Sequence, residues 1–482
     1  MITRNLTALT DYYQLTMMQG YHSSGIADRL AVFDLFYRRN PSENGYAIAA
    51  GLAQAIEYIT GLEFTDRDIN FLKRQGVFSD GFLEYLRGFK FTGDIHAVPE
   101  GTVVFPHEPI LRVKAPVIQA QFLETALLNI INHQSLIATK AARIAEAAAG
   151  DLVIEMGLRR AQGPDSSVYG ARAAIIGGCS ATSNVLAAEM FDVPVRGTQA
   201  HSWVMSFEDE LTAFREYAKT FPDNCVLVVD TYDTLRSGVP NAIKIFGELR
   251  EQNPGFKNYG IRLDSGDFAY LSKKARKMLD EAGFPDALIG GSSDLNELLI
   301  RDLKLQGSAI KLWGVGTNLI TSGDWPAFGG VYKLAAAEDD SGMLQPKIKL
   351  SDNVEKITNP GIKKIHRFYD AATGKIKADL IALEHEKFDP ANDQLLFDPN
   401  ATWKRMTLPA FSYRVRELLT PVFVDGHCVY TPPPVMDIQA YCASEKATLW
   451  DEHRRLINPH VLPVDLSEEL WELKERMIQE LR

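Results

Sequence analysis

A chain of 482 residues exceeds one ordinary domain, and 46% hydrophobic with 10% aromatic residues supplies enough apolar material for two cores. Lys+Arg 51 against Asp+Glu 62 leaves a net charge of -11, which excludes a general electrostatic attraction to nucleic acid or to an anionic membrane; an anionic ligand must be held by local clusters. Cys179, Cys225, Cys428 and Cys442 are widely spaced and form no CxxC pair, which argues against a disulfide framework and a structural zinc site and suits a reducing compartment.

The chain starts with MITRNLTALTDYYQLTMM, which has neither the apolar run nor the small-residue cleavage site of a signal peptide, and no later stretch reaches bilayer-spanning length, so a cytoplasmic protein is expected. VFDLFYRR, FTGDIHAV and TVVFPHEPILRVKA alternate as strands do, and a helical run, FLETALLNIINHQSLIATKAARIAEAAAG, follows. These elements predict an α+β domain over residues 1–140.

From about residue 150 short β-branched runs alternate with helix-length amphipathic segments, the rhythm of βα units on a parallel sheet. The predicted strands are DLVIE, VPVRG, CVLVVD, YGIRLD, ALIGG and AIKLWGVG, with GGVYKLAA as a further one. Between them, Leu211, Phe214, Tyr217, Ala218 and Phe221 form one helical stripe, and Phe268, Leu271, Ala275 and Met278 another. The fold class is α/β, an irregular α/β barrel over residues 141–344 beside the α+β domain, with a doubly wound open sheet as the alternative. Beyond about residue 345 the sequence turns Pro/Asp/Lys-rich and irregular, then closes with an amphipathic helix, LSEELWELKERMIQEL; this tail, to residue 482, is expected to pack on the N-terminal domain.

In either architecture ligands bind beyond the carboxyl ends of the strands. Six such ends in succession are polar, glycine-rich or both, which suggests one shared site. Arg159 and Arg160 offer planar donor forks for carboxylate or phosphate, and Gly290, Gly291, Gly314, Gly316 and Thr317 offer close-approaching N–H groups at helix starts, a phosphate cradle; tight βα turns would also explain the glycines. Asp230 and Asp264 end apolar strands and are read as functional, whereas Asp267 is read as a helix N-cap. His201, in GTQAHSWV, has no His or Cys partner at metal-ligand spacing and no GxSxG or Walker A motif beside it, so a nucleophilic or acid/base role is favoured over metal ligation.

Taken together, TDYYQLTM, EMGLRRAQGPD, GTQAHSWV, VVDTYDT, IRLDSGD, GVGTN, GGVYKL and KLSDNVEKITNPGIKK resemble the nicotinate phosphoribosyltransferase family, in that order and over roughly residues 5 to 370. The resemblance implies the type II phosphoribosyltransferase fold and a homodimer with shared active sites. It also implies an enzyme of the ligase class on the salvage route to NAD. Nicotinate and 5-phosphoribosyl-1-pyrophosphate would give nicotinate mononucleotide and pyrophosphate, with ATP hydrolysis coupled through a phosphorylated His201 and Mg²⁺ held mainly by substrate phosphates. Tyr13 would stack on the pyridine ring from the neighbouring subunit, Arg262 would hold the substrate opposite, and Thr198 would lie beside the base. Asp230 and Asp264 would serve the ribosyl centre or the base. Arg159 and Thr358 match phosphate-contacting positions, and Lys347, Lys349, Lys356, Lys363 and Lys364 add positive charge or form a solvated strip. Met156 stands where relatives often carry an aromatic. The hydroxyls of Ser180 to Ser183, Ser183 in particular, suit nicotinate better than nicotinamide, since a carboxylate there would repel a carboxylate substrate. The competing readings are a nicotinamide phosphoribosyltransferase and a non-catalytic barrel scaffold.

Overall fold

The computed structural model describes residues 5–323 and 325–481. The chain forms two compact units, Met1–Leu136 with Ala327–Arg482, and Ile137–Pro326.

The second unit is built on six parallel strands in the order Ala181–Thr182, Leu152–Glu155, Leu312–Val315, Leu288–Ser293, Gly260–Leu263 and Val226–Val228. Strands covered on both faces must be apolar throughout, and Val153, Ile261, Leu263, Ile289, Trp313 and Val315 are accordingly buried. The helices between them bury the stripes their spacing predicts: Phe214, Tyr217 and Ala218 on Glu210–Thr220, and Phe268 and Ala275 on Phe268–Glu281. Phe221 lies just past its helix and is exposed. Helix Val239–Gln252 approaches its strand so closely that a Cβ on Gly238 would lie 1.9 Å from the Val229 carbonyl oxygen, which only glycine permits.

Two expectations about strands are corrected. VPVRG makes only an isolated bridge, Val195 to Thr182, because Pro194 cannot donate to a ladder; the edge strand is Ala181–Thr182, a segment outside the predicted strands. GGVYKLAA forms Gly330–Glu338, which belongs to the first unit and pairs antiparallel with Leu30–Tyr37 of that same unit.

The first unit carries a seven-stranded antiparallel sheet in the order Leu344–Pro346, Gly330–Glu338, Leu30–Tyr37, Leu111–Pro116, Asp94–Ala97, Thr420–Val424 and His427–Cys428. The pairing of Thr420–Val424 with Asp94–Ala97 brings the tail onto the N-terminal part, as expected. The tail is more ordered than its composition suggests. Tyr413–Glu417, Lys363–Asp370, Ile376–Leu383 and Val464–Leu466 form a second sheet, and the closing helix Glu468–Glu480 packs Leu470 against Ile381, Leu383 and Leu466. Among the described residues no helix is long and apolar enough to cross a membrane.

Candidate active site

Three strand ends and one short helix of the second unit converge on His201. The histidine does not end a strand, as its sequence context suggested. It opens the five-residue helix His201–Met205 after an irregular approach from Val195. Trp203 fixes this helix, since its indole N–H donates to the Ala213 carbonyl at 3.0 Å and its ring packs on Phe207. His201 Nδ1 lies 3.0 Å from Thr231 Oγ1, and Nε2 faces Asp264 Oδ2 at 3.6 Å and Asp230 Oδ1 at 4.0 Å. Nδ1 donates to the threonine hydroxyl in one tautomer and accepts from it in the other, and in both Nε2 is directed at the carboxylates.

The two aspartates are held differently. Asp230, its side chain 3% exposed, accepts through Oδ2 from the Asp264 amide (2.9 Å) and the Ser265 hydroxyl (2.6 Å), while its Oδ1 is buried without a hydrogen bond. Asp264 accepts through Oδ1 from Arg262 Nη1 (2.9 Å) and the Ser292 hydroxyl, leaving Oδ2 to the histidine. Arg262 also donates to Ser292 Oγ at 2.9 Å and to the Gln199 carbonyl at 2.8 Å, and only its Nε remains buried and unpaired. Its guanidinium is therefore largely committed to shaping the site. Asp267 caps helix Phe268–Glu281 by accepting from the Tyr270 amide at 2.9 Å, which is the role read from sequence.

Four participants escaped the sequence reading. Gln199 is buried with neither side-chain amide atom hydrogen-bonded, which leaves one donor group and one acceptor available beside the cluster. Thr231 and Ser292 were visible only as neighbours of stronger candidates. Glu155 ends its strand fully buried, accepting from the Gly157 amide and from Thr182 Oγ1 (2.6 Å), and burial raises its pKa above the ordinary carboxylate value. Thr182 is taken up by Glu155, whereas the hydroxyls of Ser180 and Ser183 make no hydrogen bond among the described residues.

The expected phosphate cradle is partly corrected. Gly290 and Gly291 sit inside the strand Leu288–Ser293, laddered on both sides and buried, so they open no helix. Their smallness serves packing. Gly314 is likewise inside a strand, and a Cβ there would meet Met156 Sδ at 2.7 Å, so glycine makes the room for Met156 above the sheet. Gly316 and Thr317 do lead the four-residue helix Thr317–Ile320, and Asn318 ties it to the neighbouring strand end by donating to the carbonyls of Asp294 (3.2 Å) and Leu295 (3.1 Å). Arg159 and Arg160, on the turn Leu158–Arg160, are exposed and have no ion-pair partner among the described residues, and Thr198 is exposed beside Gln199.

Tyr13 and Thr358 belong to the first unit. Tyr13 lies on helix Tyr12–Ser23 with 47% of its surface exposed, and Thr358 is buried, its hydroxyl accepting from the Lys349 amide at 2.9 Å. Of the lysine cluster, Lys363 is buried against Asp34 (2.7 Å) and Lys364 pairs with Glu417 (3.1 Å); Lys347, Lys349 and Lys356 have no ion pair among the described residues. No group of three or more His, Cys, Asp or Glu residues suited to a metal ion occurs among the described residues.

The chain matches three family models: the nicotinate phosphoribosyltransferase N-terminal domain over residues 8–132, the nicotinate phosphoribosyltransferase family over 152–322, and its C-terminal domain over 362–474. It is 48% identical to the nicotinate phosphoribosyltransferase of Bacillus subtilis over 478 residues, covering 99% of this chain and 96% of that protein. The Caenorhabditis elegans nicotinate phosphoribosyltransferase is 35% identical, with 96% and 92% covered. The crystal structure of human nicotinic acid phosphoribosyltransferase superposes with a TM-score of 0.84 at 31% identity, covering 98% of this chain and all of that one.

Proposed function

Because this chain belongs to the nicotinate phosphoribosyltransferase family, we propose that its strand-end site transfers the phosphoribosyl group of 5-phosphoribosyl-1-pyrophosphate to nicotinate, in the salvage of NAD and in the cytoplasm, driven by ATP through a phosphorylated His201. The observation that carries the reading is the His201 cluster: an imidazole oriented through Nδ1 by Thr231, its Nε2 free and directed into a group of two carboxylates and an arginine.

Nε2 attacks the γ-phosphorus of ATP, the bond to the β,γ-bridging oxygen breaks, and ADP leaves; water later cleaves the N–P bond to give inorganic phosphate. In the glycosyl step the ring nitrogen of nicotinate forms the bond to C1 of the ribose as the bond to pyrophosphate breaks. Positive charge grows on the ribosyl centre, and Asp230 and Asp264 supply the opposing field. Mg²⁺ would be held mainly by the substrate phosphates, with the unpaired Asp230 Oδ1 and with Asp264 Oδ2 as hard oxygen donors that suit it, and would supply neutralisation of phosphate charge. Arg159, Arg160, Gly316 and Thr317 are the second unit's phosphate contacts.

Nicotinate lies beside Thr198 and Gln199, with Ser183 favouring its carboxylate over an amide. Tyr13 reaches the ring from a second copy of the chain in a homodimer. The first test mixes labelled nicotinate or nicotinamide with phosphoribosyl pyrophosphate, with and without ATP. Nicotinate mononucleotide formed faster with ATP is expected, and preferential use of nicotinamide overturns the assignment. Repeated with Ser183→Asp, the assay should lower the nicotinate-to-nicotinamide efficiency ratio; an unchanged ratio removes Ser183 from selectivity. Tyr13→Ala and Arg262→Ala subunits, each nearly inactive, should recover activity in verified heterodimers if the site is shared, and no recovery refutes the sharing.

A further inference from the structure

The first unit contains a cavity of about 360 Å³ whose walls have no place in the chemistry above. Its size falls within the roughly 300–1,000 Å³ typical of small-molecule sites. Ile357, Ile381, Val464 and Leu466 line part of it with apolar surface, and His107, Asn359 and Lys474 are among its polar groups.

Lys474 projects from the closing helix Glu468–Glu480, and its ammonium donates to Asn359 Oδ1 at 2.8 Å. That partner is neutral, and Lys474 has no carboxylate partner among the described residues. Two of its three N–H donors stay unused. Burial pushes its pKa below the ordinary lysine value, with the neighbouring Glu475 opposing the shift and the buried Lys363 adding to it. His107 adds no opposing charge, since burial, Lys474 and Arg38 lower its pKa to about 4. Glu355, also on the wall, is engaged at 2.9 Å with Arg39.

We propose that this cavity is a binding site for a small organic anion, an apolar ring-sized body bearing one carboxylate or phosphate, whose anionic group pairs with Lys474 while its body lies against Ile381, Val464 and Leu466. The two demands are separable: the anion answers the unmatched ammonium, and the apolar body answers the walls, which water solvates poorly.

Titration calorimetry of the full chain with 2-naphthoate, in saturating nicotinate so that the strand-end site is occupied, tests this. Saturable binding is expected, with the neutral 2-naphthol at least about tenfold weaker because it lacks the charge. Lys474→Met, which keeps the apolar stem, and Val464→Phe, which fills the cavity without altering charge, should each weaken 2-naphthoate by at least about tenfold while retaining the circular dichroism and transferase activity of the unaltered protein. Arg262→Ala should bind as the unaltered protein does. Absence of saturable binding, equal binding of 2-naphthoate and 2-naphthol, equal binding by Lys474→Met, or loss in Arg262→Ala overturns the proposal; should both cavity variants misfold, the comparison of the two naphthalenes decides it.

Discussion

Arg367 in the first unit and Arg262 in the second each engage an aspartate, yet the hydrogen-bond capacity around them is spent differently. Arg367 is fully buried and uses Nε and Nη2 on Asp379 (2.9 and 2.6 Å), Nη1 on Glu445 (3.1 Å) and Nη2 again on the Val103 carbonyl (2.8 Å). Arg416 also reaches Glu445, at 2.8 Å. Around Arg262, by contrast, Arg262 Nε, Asp230 Oδ1 and both amide atoms of Gln199 are buried and unpaired, and His201 Nε2 faces carboxylates without a hydrogen bond. An arginine with its donors spent on protein acceptors ties elements together, even with Glu108 Oε1 buried and unpaired beside Asp379, whereas at the strand ends donors and acceptors stay open to a ligand or to water. The same residue types therefore separate into architecture and chemistry by what each still has to offer.

The sharpest way to break that contrast is to remove one partner from each cluster. Arg367→Met strands Asp379 in the core and should cost about 3–5 kcal/mol of stability, read from the urea midpoint. A midpoint within error of the unaltered protein refutes the structural role. Asp264→Asn keeps the shape of the strand end, and the activity with nicotinate and ATP should fall about 10²–10³-fold while the urea midpoint moves little. A large loss of stability with proportionate loss of activity would place Arg262 and Asp264 with the architectural cluster.

His107 extends the comparison to pH. Its pKa falls from the ordinary histidine value to about 4 on folding, through burial first and then Lys474 and Arg38. Between about pH 4 and 6.5 the unfolded chain binds the extra proton, so stability is lost as pH falls through that window, by no more than about 3 kcal/mol. His107 has a backbone φ of +74°, a conformation asparagine tolerates. His107→Asn should therefore flatten the acid limb of the stability curve, and an unchanged limb contradicts the shift. The smallest effect is expected for Thr231→Val, which removes only the group orienting the imidazole. ATP stimulation should drop about tenfold, with basal ATP-independent transfer unchanged; equal loss of both would show that Thr231 supports the fold of the loop.

Much of the second unit was legible because its strands are uninterrupted β-branched runs and its helices carry single apolar stripes, as in CVLVVD and in the stripe of Phe214, Tyr217 and Ala218. Periodicity says nothing of partners, so GGVYKLAA could be recognised as a strand and still be assigned to the wrong sheet. The tail was misread as irregular because Arg367 and Asp379 interrupt its apolar runs, and nothing in the sequence shows that they face each other across adjacent strands. His201, Asp230 and Asp264 stood out as titratable groups at the predicted strand ends and Arg262 through the family resemblance, and the structure brings all four together. Gln199 and Thr231 did not stand out, since an amide and a hydroxyl are ordinary loop residues until burial or a hydrogen bond gives them a role. Gly290 and Gly291 were read as a phosphate cradle at a helix start when they pack inside a ladder, where short side chains serve neighbouring strands equally well.

The proposed transfer of a phosphoryl group to His201 is open to direct test. Incubation with ATP labelled at the γ-phosphate, rapid quenching at alkaline pH where phosphohistidine survives, and peptide mapping would locate the label. The expected result is an acid-labile phosphate on Nε2 of His201, absent from His201→Ala and increased in Asp264→Asn if that carboxylate serves the later ribosyl step. Label on another residue, or none while ATP still stimulates product formation, contradicts it.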